Sequence, residues 1–212
     1  MTVKFSDFGT SYFEVLDNGT GISSDAYETV VARHSTSKLE KFDDLESIST
    51  FGFRGEALAA LSAISSLKIS TRTKDDQIGA ELEYDNYGKV TNQKRAVRKI
   101  GTTVRVDQLF HRIPVRRQIF LKNDKKEFQK AVNILMGYAL MTDARILVQT
   151  QTQNSIWKTV IQTKASERFR INTPCAQIGP IICKKSVCQS LKALNPKFQI
   201  FSVHLLAIPY KN

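Results

Sequence analysis

Eight short apolar-alternating stretches, several joined by tight polar turns, constrain this chain more than any other feature. VKFS and YFEVL flank the turn DFGTS, LKISTRT and AELEYD follow one another, and DNYG turns into KVTNQKR. GTTVRVDQLF alternates in the same way, and ARILVQTQ and SIWKTVIQT flank TQNS. Alternation with period two places every second side chain on one sheet face, so these stretches are predicted as strands. Helical signals are fewer. SSDAYETVVAR has a serine at either of two capping positions, Ser23 or Ser24, and acidic residues in its first turns. GEALAALSAISS is rich in Ala and Leu. After Pro114 a basic helix is predicted from about Arg116 to Leu140, with apolar positions at Phe120, Phe128, Val132, Leu135 and Ala139. The sum is an α+β layer fold, a mixed, largely antiparallel sheet with helices on one face.

A length of 212 residues suits one to two domains. A change of style near residues 165–175 sets the expected boundary, giving 1–165 as one domain and 166–212 as a linker with the partial start of another. No apolar run approaches the length that crosses a bilayer, and the opening MTVKFSDFGT lacks a secretory pattern, so no membrane partner is expected. Three cysteines, all late in the chain, fit a reducing compartment better than a disulfide framework or a zinc site.

Charge divides the chain. Residues 1–93 carry 9 Lys+Arg and 15 Asp+Glu, a net −6, while residues 94–212 carry 22 and 5, a net +17. A basic half joined to an acidic half suits a polyanion partner such as nucleic acid, and equally a solvated basic surface.

Four loops carry the chemical signals. In Asp17-Asn18-Gly19-Thr20-Gly21-Ile22, a carboxylate at a strand end can accept a hydrogen bond from an amine, and the glycines let a flat group approach the backbone. An Asn-Gly hairpin is the plain alternative. His34-Ser35-Thr36-Ser37-Lys38 offers hydroxyls and a cation suited to phosphates, or is a simple polar loop. Gly52-Phe53-Arg54-Gly55-Glu56-Ala57-Leu58 leads into a helix whose unpaired N–H groups favour an anion, or is a turn before a core helix. Thr102 and Thr103 open a strand with hydroxyls suited to a base edge or a water, or are ordinary β-branched strand residues.

In order and spacing, DNGTGI, HSTSK, GFRGEAL and GTTV together resemble the MutL family of mismatch-repair proteins, with IPVRR at 113–117 matching the segment that follows. These belong to the GHKL ATPase group of gyrase, ninety-kilodalton heat-shock chaperones, histidine kinases and MutL. The likeness covers about residues 1–165 and is greatest to the eukaryotic PMS-type subunit. It implies the GHKL-type α/β sandwich, followed by the incomplete start of a ribosomal-S5-type second domain.

The same resemblance implies the site. Asp17 reads the adenine amino group, and Gly19, Gly21 and Ile22 line base and ribose. Thr36, Ser37 and Lys38 form the nucleotide lid. Gly52, Phe53, Arg54, Gly55, Glu56, Ala57 and Leu58 form the phosphate loop, and Thr102 or Thr103 supports the water network at the base. It implies ATP as cofactor, with Mg2+ in the complete family protein. It also implies a second MutL-type subunit, a MutS-type mismatch sensor and DNA as partners, and a nuclear location. Arg116, Arg117, Lys125 and Lys126 are the candidate DNA contacts.

The family's first motif, a Glu that activates water and an Asn that holds magnesium, lies upstream of DNGTGI on an opening helix. Only MTVKFSDFGTSYFEVL precedes Asp17, with Glu14 in a strand and no Asn. The expectation is a chain truncated before that motif, with no catalytic residue of its own, whose ATP hydrolysis is implied by resemblance alone. The alternative function is a non-catalytic binding or regulatory product acting through its basic half.

Overall fold

The computed structural model describes residues 1–35, 55–141, 145–152 and 155–161. Eight strands make one sheet: β1 (Thr2–Ser6), β2 (Tyr12–Leu16), β3 (Ser66–Arg72), β4 (Gly79–Tyr84), β5 (Val90–Ala96), β6 (Gly101–Asp107), β7 (Ile146–Thr152) and β8 (Ser155–Ile161). Their spatial order is β5-β4-β3-β6-β2-β1-β7-β8. Every pairing is antiparallel except β1 with β7, which sets Val3 beside Val148 in parallel. Among the described residues three α-helices accompany the sheet: α1 (Ala57–Ile64), α2 (Pro114–Lys122) and α3 (Asp124–Met141). All the strands expected from alternation form.

The period of two divides the sheet into a dry face and a wet one. Val3, Phe5, Phe13, Val15, Leu67, Ile69, Leu82, Val104 and Val106 face the core, with Leu67, Ile69 and Leu82 at 1% exposure or less. Full burial of each such side chain contributes about 1.5–3 kcal/mol. Val132, Leu135 and Ala139 of α3 join the same cluster, and Leu58, Leu61 and Ile64 of α1 pack against it. On the opposite face a polar row crosses six strands in register: Lys4, Glu14, Arg105, Lys68, Glu83 and Asn92. Arg105 bonds Glu14 at 2.8 Å and Asp107 at 2.9 Å, and its guanidinium lies 3.8 Å from the Tyr12 ring centre. Lys68 pairs with Glu83 at 2.9 Å, so the two cations side by side at the centre of the row each hold a carboxylate.

The β1–β2 turn is left-handed over Asp7, Phe8 and Gly9, with φ of 49°, 57° and 89°. A left-handed backbone costs a non-glycine residue roughly 1–2 kcal/mol. Two features offset it: the Asp7 carboxylate accepts the Ser11 hydroxyl at 2.7 Å, and the Phe8 ring meets Phe128 of α3 at 5.5 Å.

Two helical expectations are corrected. SSDAYETVVAR is not a regular helix: Ser24–Ala26 is a single 3-10 turn, followed by turns in which Thr29 N–H reaches Ala26 O at 3.1 Å and Ala32 N–H reaches Thr29 O at 3.0 Å. Val30 N–H makes one α-type bond, to Ala26 O at 2.9 Å, and the Thr29 hydroxyl shares that carbonyl, but no further i+4 bonds follow in the segment. The basic helix expected over Arg116–Leu140 is two helices, broken at Asn123. There Asn123 Nδ2 donates to Ile119 O at 2.9 Å, and the Asp124 carboxylate accepts the Lys125 N–H. Side chains thus satisfy backbone groups at the junction, as caps do.

Candidate functional site

Strand β2 ends at Leu16, and the next residue anchors a corner. Asp17 N–H donates to Thr102 O at 2.8 Å, and Asp17 Oδ1 accepts Thr102 N–H at 3.1 Å and Gly19 N–H at 2.8 Å. A carboxylate bonding the amide two residues on is an Asx turn, so Asn18-Gly19 is not a two-residue hairpin. With Oδ1 used twice by the backbone, Oδ2 is left buried with no hydrogen-bond partner among the described residues. A buried carboxylate oxygen without a donor is costly in a folded protein and marks a place that takes one. Burial raises the Asp17 pKa above its ordinary value, while the Gly19 and Thr102 amides and nearby Arg98 pull it the other way.

Two glycines bring backbone against this corner. Gly21 sits at φ +82°, and a Cβ there would lie 2.2 Å from the Arg72 carbonyl oxygen. Gly101 sits at φ +125°, where a Cβ would lie 2.4 Å from Asp17 O. Both positions exclude larger residues on backbone conformation and on space.

Beneath the corner two strand hydroxyls meet. Thr71 Oγ1 accepts Ile22 N–H at 2.8 Å and lies 3.3 Å from both Thr102 Oγ1 and Gly101 O. Both threonines have 0% exposure. The structure therefore gathers Asp17, Gly19, Gly21, Ile22 and Thr102 into one cradle. Thr103, the other threonine singled out in the sequence, is half-buried and follows the period of two onto the open face with Arg105 and Asp107. Thr71 escaped the sequence reading, because a threonine inside LKISTRT looks like any β-branched strand residue.

A second set of candidates lies at the start of α1. His34 N–H donates to Gly55 O at 3.1 Å, and His34 Nδ1 stands 3.5 Å from Glu56 Oε1. Glu56 is the N-cap of α1 yet makes no side-chain cap bond, so its carboxylate does not satisfy the first amides of the helix. Ala57 and Leu58 begin the helix. Thr36, Ser37, Lys38, Gly52, Phe53 and Arg54 lie outside the described residues.

The basic candidates surround the α2–α3 junction. The Arg116 guanidinium lies 5.1 Å from the Phe110 ring centre, and Lys125 Nζ lies 5.8 Å from that of Phe8. Arg117 donates to Leu109 O at 3.1 Å, and Lys126 is exposed. A groove of about 750 Å³ on the open face is bordered by Tyr12, Lys68, Arg105, Asp107 and Arg117. It contains none of the Asp17 cradle. Lys68 and Arg105 there are already engaged by carboxylates, which makes the cradle, with its orphaned acceptor, the better candidate site.

Residues 1–112 match the family described as histidine kinase-, DNA gyrase B-, and HSP90-like ATPase. The chain belongs to that family, in its MutL branch of PMS type. It is 42% identical over 159 residues to DNA mismatch repair protein PMS1 of Arabidopsis thaliana, covering 75% of this chain and 17% of that protein. It is 39% identical over 190 residues to mismatch repair endonuclease PMS2 of Gallus gallus, covering 89% of this chain and 21% of the relative. The chain thus spans about a fifth of the length of these relatives. Among solved structures it resembles the N-terminal domain of a DNA repair protein, with a TM-score of 0.63 and 36% identity over 77% of this chain and 46% of the other. It also resembles the Aquifex aeolicus MutL ATPase domain complexed with ADP, with a TM-score of 0.50 and 25% identity over 72% of this chain and 51% of that one. These likenesses bear out the expected GHKL-type fold.

Proposed function

We propose that the Asp17 cradle binds the adenine of ATP, within a mismatch-repair ATPase of MutL type. The observation that carries the reading is Asp17 Oδ2, a buried acceptor with no donor among the described residues, at a corner where Gly21 and Gly101 let the backbone close in. Adenine presents an exocyclic amine as donor. Guanine presents a carbonyl oxygen at the same place, which would face the carboxylate acceptor to acceptor. The hydroxyl pair Thr71–Thr102 beneath the carboxylate supplies further polar contacts for the base or a bridging water. The glycine loop and the uncapped start of α1 would take ribose and phosphates, with Gly55, Glu56, Ala57 and Leu58 at the helix opening.

The cofactor accordingly is ATP, carried with magnesium. Among the described residues no group of three His, Cys, Asp or Glu is placed to hold a metal ion, and no step of this reading runs through one. The nucleotide supplies the phosphoanhydride bond, while the described residues bind and orient it. The partners in this reading are a second MutL-type subunit, a MutS-type mismatch sensor and DNA, in the nucleus. The name of the Gallus relative, a mismatch repair endonuclease, and the ADP-bound MutL neighbour support it. Among the described residues no helix is long and apolar enough to cross a membrane.

Calorimetric titration of the chain with ATP and with GTP tests the site. ATP is expected to bind at least about tenfold more tightly, the scale of one lost hydrogen bond with an unpaired polar group. Equal affinity for the two would remove Asp17 from base reading. The DNA part of the reading is tested by salt dependence. Each phosphate contact contributes about 0.9 to the slope of log K against log salt concentration on B-DNA. Replacing Arg116, Arg117, Lys125 and Lys126 together by Gln should reduce that slope by up to about 3.6. An unchanged slope would take DNA contact away from the α2–α3 junction.

A further inference from the structure

Thr71 is fully buried on β3, and its hydroxyl touches three separate pieces of chain. It accepts Ile22 N–H at 2.8 Å, at the far end of the glycine loop that runs from Asp17 to Ile22. It also lies 3.3 Å from the Gly101 carbonyl and 3.3 Å from Thr102 Oγ1, both on β6. A threonine hydroxyl has one proton and two lone pairs. One lone pair is used by Ile22, so the proton goes either to Gly101 O or to Thr102 Oγ1. If it goes to Gly101 O, Thr102 donates to Thr71 and presents only lone pairs to the cradle. If it goes to Thr102, the Thr102 proton is free to be donated. Thr102 is also the residue whose amide holds Asp17 Oδ1.

We propose that Thr71 is a positioning residue of the base-reading site: its hydroxyl ties the glycine loop to β6 and sets whether Thr102 gives or accepts a hydrogen bond there. The proposal rests on the reading of the cradle as an adenine site. Within it, Thr71 acts through Ile22 and Thr102, and base selectivity depends on a residue that faces the sheet interior.

Thr71→Val keeps shape and β-branching and removes the hydroxyl, and Thr71→Ser keeps the hydroxyl and removes a methyl. Three measurements on the full chain decide the matter: ATP and GTP affinities, hydrogen exchange at the Ile22 amide, and the melting transition. Thr71→Val is expected to weaken ATP binding about tenfold and leave GTP binding nearly unchanged, so that selectivity falls. Exchange at the Ile22 amide should quicken about tenfold. Thr71→Ser should restore both to within about twofold, the residual reflecting one methyl. Equal weakening of ATP and GTP overturns the proposal, because a purely structural loss makes no distinction between bases. So does failure of Ser to rescue, or an Ile22 amide indifferent to Thr71→Val. If the valine variant loses its cooperative melt, the serine variant carries the test through the same ATP-to-GTP ratio: parental selectivity and Ile22 exchange support the role, and lost selectivity in a folded serine variant overturns it. If the parent chain binds neither nucleotide, the adenine reading falls and the proposal with it. Binding that is lost with Asp17→Asn but kept with Thr71→Val sinks the proposal for Thr71 alone.

Discussion

Asp17→Asn is expected to keep the fold and to weaken ATP binding by about 100-fold, roughly 2.7 kcal/mol. The asparagine carbonyl can accept the Thr102 and Gly19 amides as Oδ1 does now, at 3.1 Å and 2.8 Å. Its NH2 group then occupies the place of Oδ2, where an amine donor of the base would meet another donor. The loss combines a missing bond to a charged acceptor with two donors opposed in a buried place. Parallel thermal melts and nucleotide titrations check it, and ATP binding as tight as the parent's would remove the carboxylate from the site. The same residue gives a pH dependence. Burial raises its folded pKa above the ordinary 3.8. The folded state therefore holds the proton more tightly than the unfolded chain. That contribution to stability is present in full below 3.8 and is lost as pH rises through the raised folded value. Binding runs the opposite way, because an amine donor favours the carboxylate. ATP affinity should rise as pH climbs through the folded pKa, and Asp17→Asn should flatten that rise.

Gly21→Ala is expected to cost about 3 kcal/mol of stability and to abolish tight nucleotide binding. The added Cβ would stand 2.2 Å from the Arg72 carbonyl oxygen and 2.9 Å from Thr73 N. These are backbone atoms of a central strand and the residue after it, which cannot rotate away as a flexible side chain does. The φ of +82° adds the left-handed penalty. Relief requires the loop to lift from β3, which breaks the bond from Ile22 N–H to Thr71. Urea unfolding reads the first effect and calorimetry the second. A midpoint and an affinity equal to the parent's would mean that the loop relaxes freely and that the close approach is dispensable.

What the sequence made legible follows from how far apart the interacting residues lie. Strands were readable because alternation is local: every second residue of YFEVL or LKISTRT reports the same face. The Asp17 corner was ambiguous on its own contiguous residues, which suit an Asn-Gly hairpin equally, and only the order of four separate motifs singled it out. Thr71 was not readable, since the group that gives its hydroxyl a purpose, the Ile22 amide, lies 49 residues earlier. The choice between Thr102 and Thr103 was open in the sequence, because adjacent threonines differ only in the face each takes. That face is fixed by β6 pairing with β2 and β3. The break at Asn123 had a local signal in Asn123-Asp124, two residues that favour caps. The apolar spacing on either side concealed it, running on through Phe120, Phe128 and Val132 as if one helix carried all three. Tyr27 and Val31 are buried four residues apart, as in a helix, yet their segment is a run of turns. Burial spacing alone does not fix the backbone.

The parallel pairing of β1 with β7 has a consequence for assembly. β1 finds β2 almost at once, across a short turn, but its other edge waits for Leu147 and Val148. Closing so long a loop is entropically slow, and contacts of high sequence separation delay folding. During synthesis the middle of the sheet, β3 to β6, can pair while the outer edge of β1 stays open, with Phe5 not yet covered by Phe128 of α3. The order of synthesis therefore leaves the outer edge of β1 exposed until β7 has emerged. A nascent chain halted before Ile146 should present that edge to chaperones and to other unfolded chains.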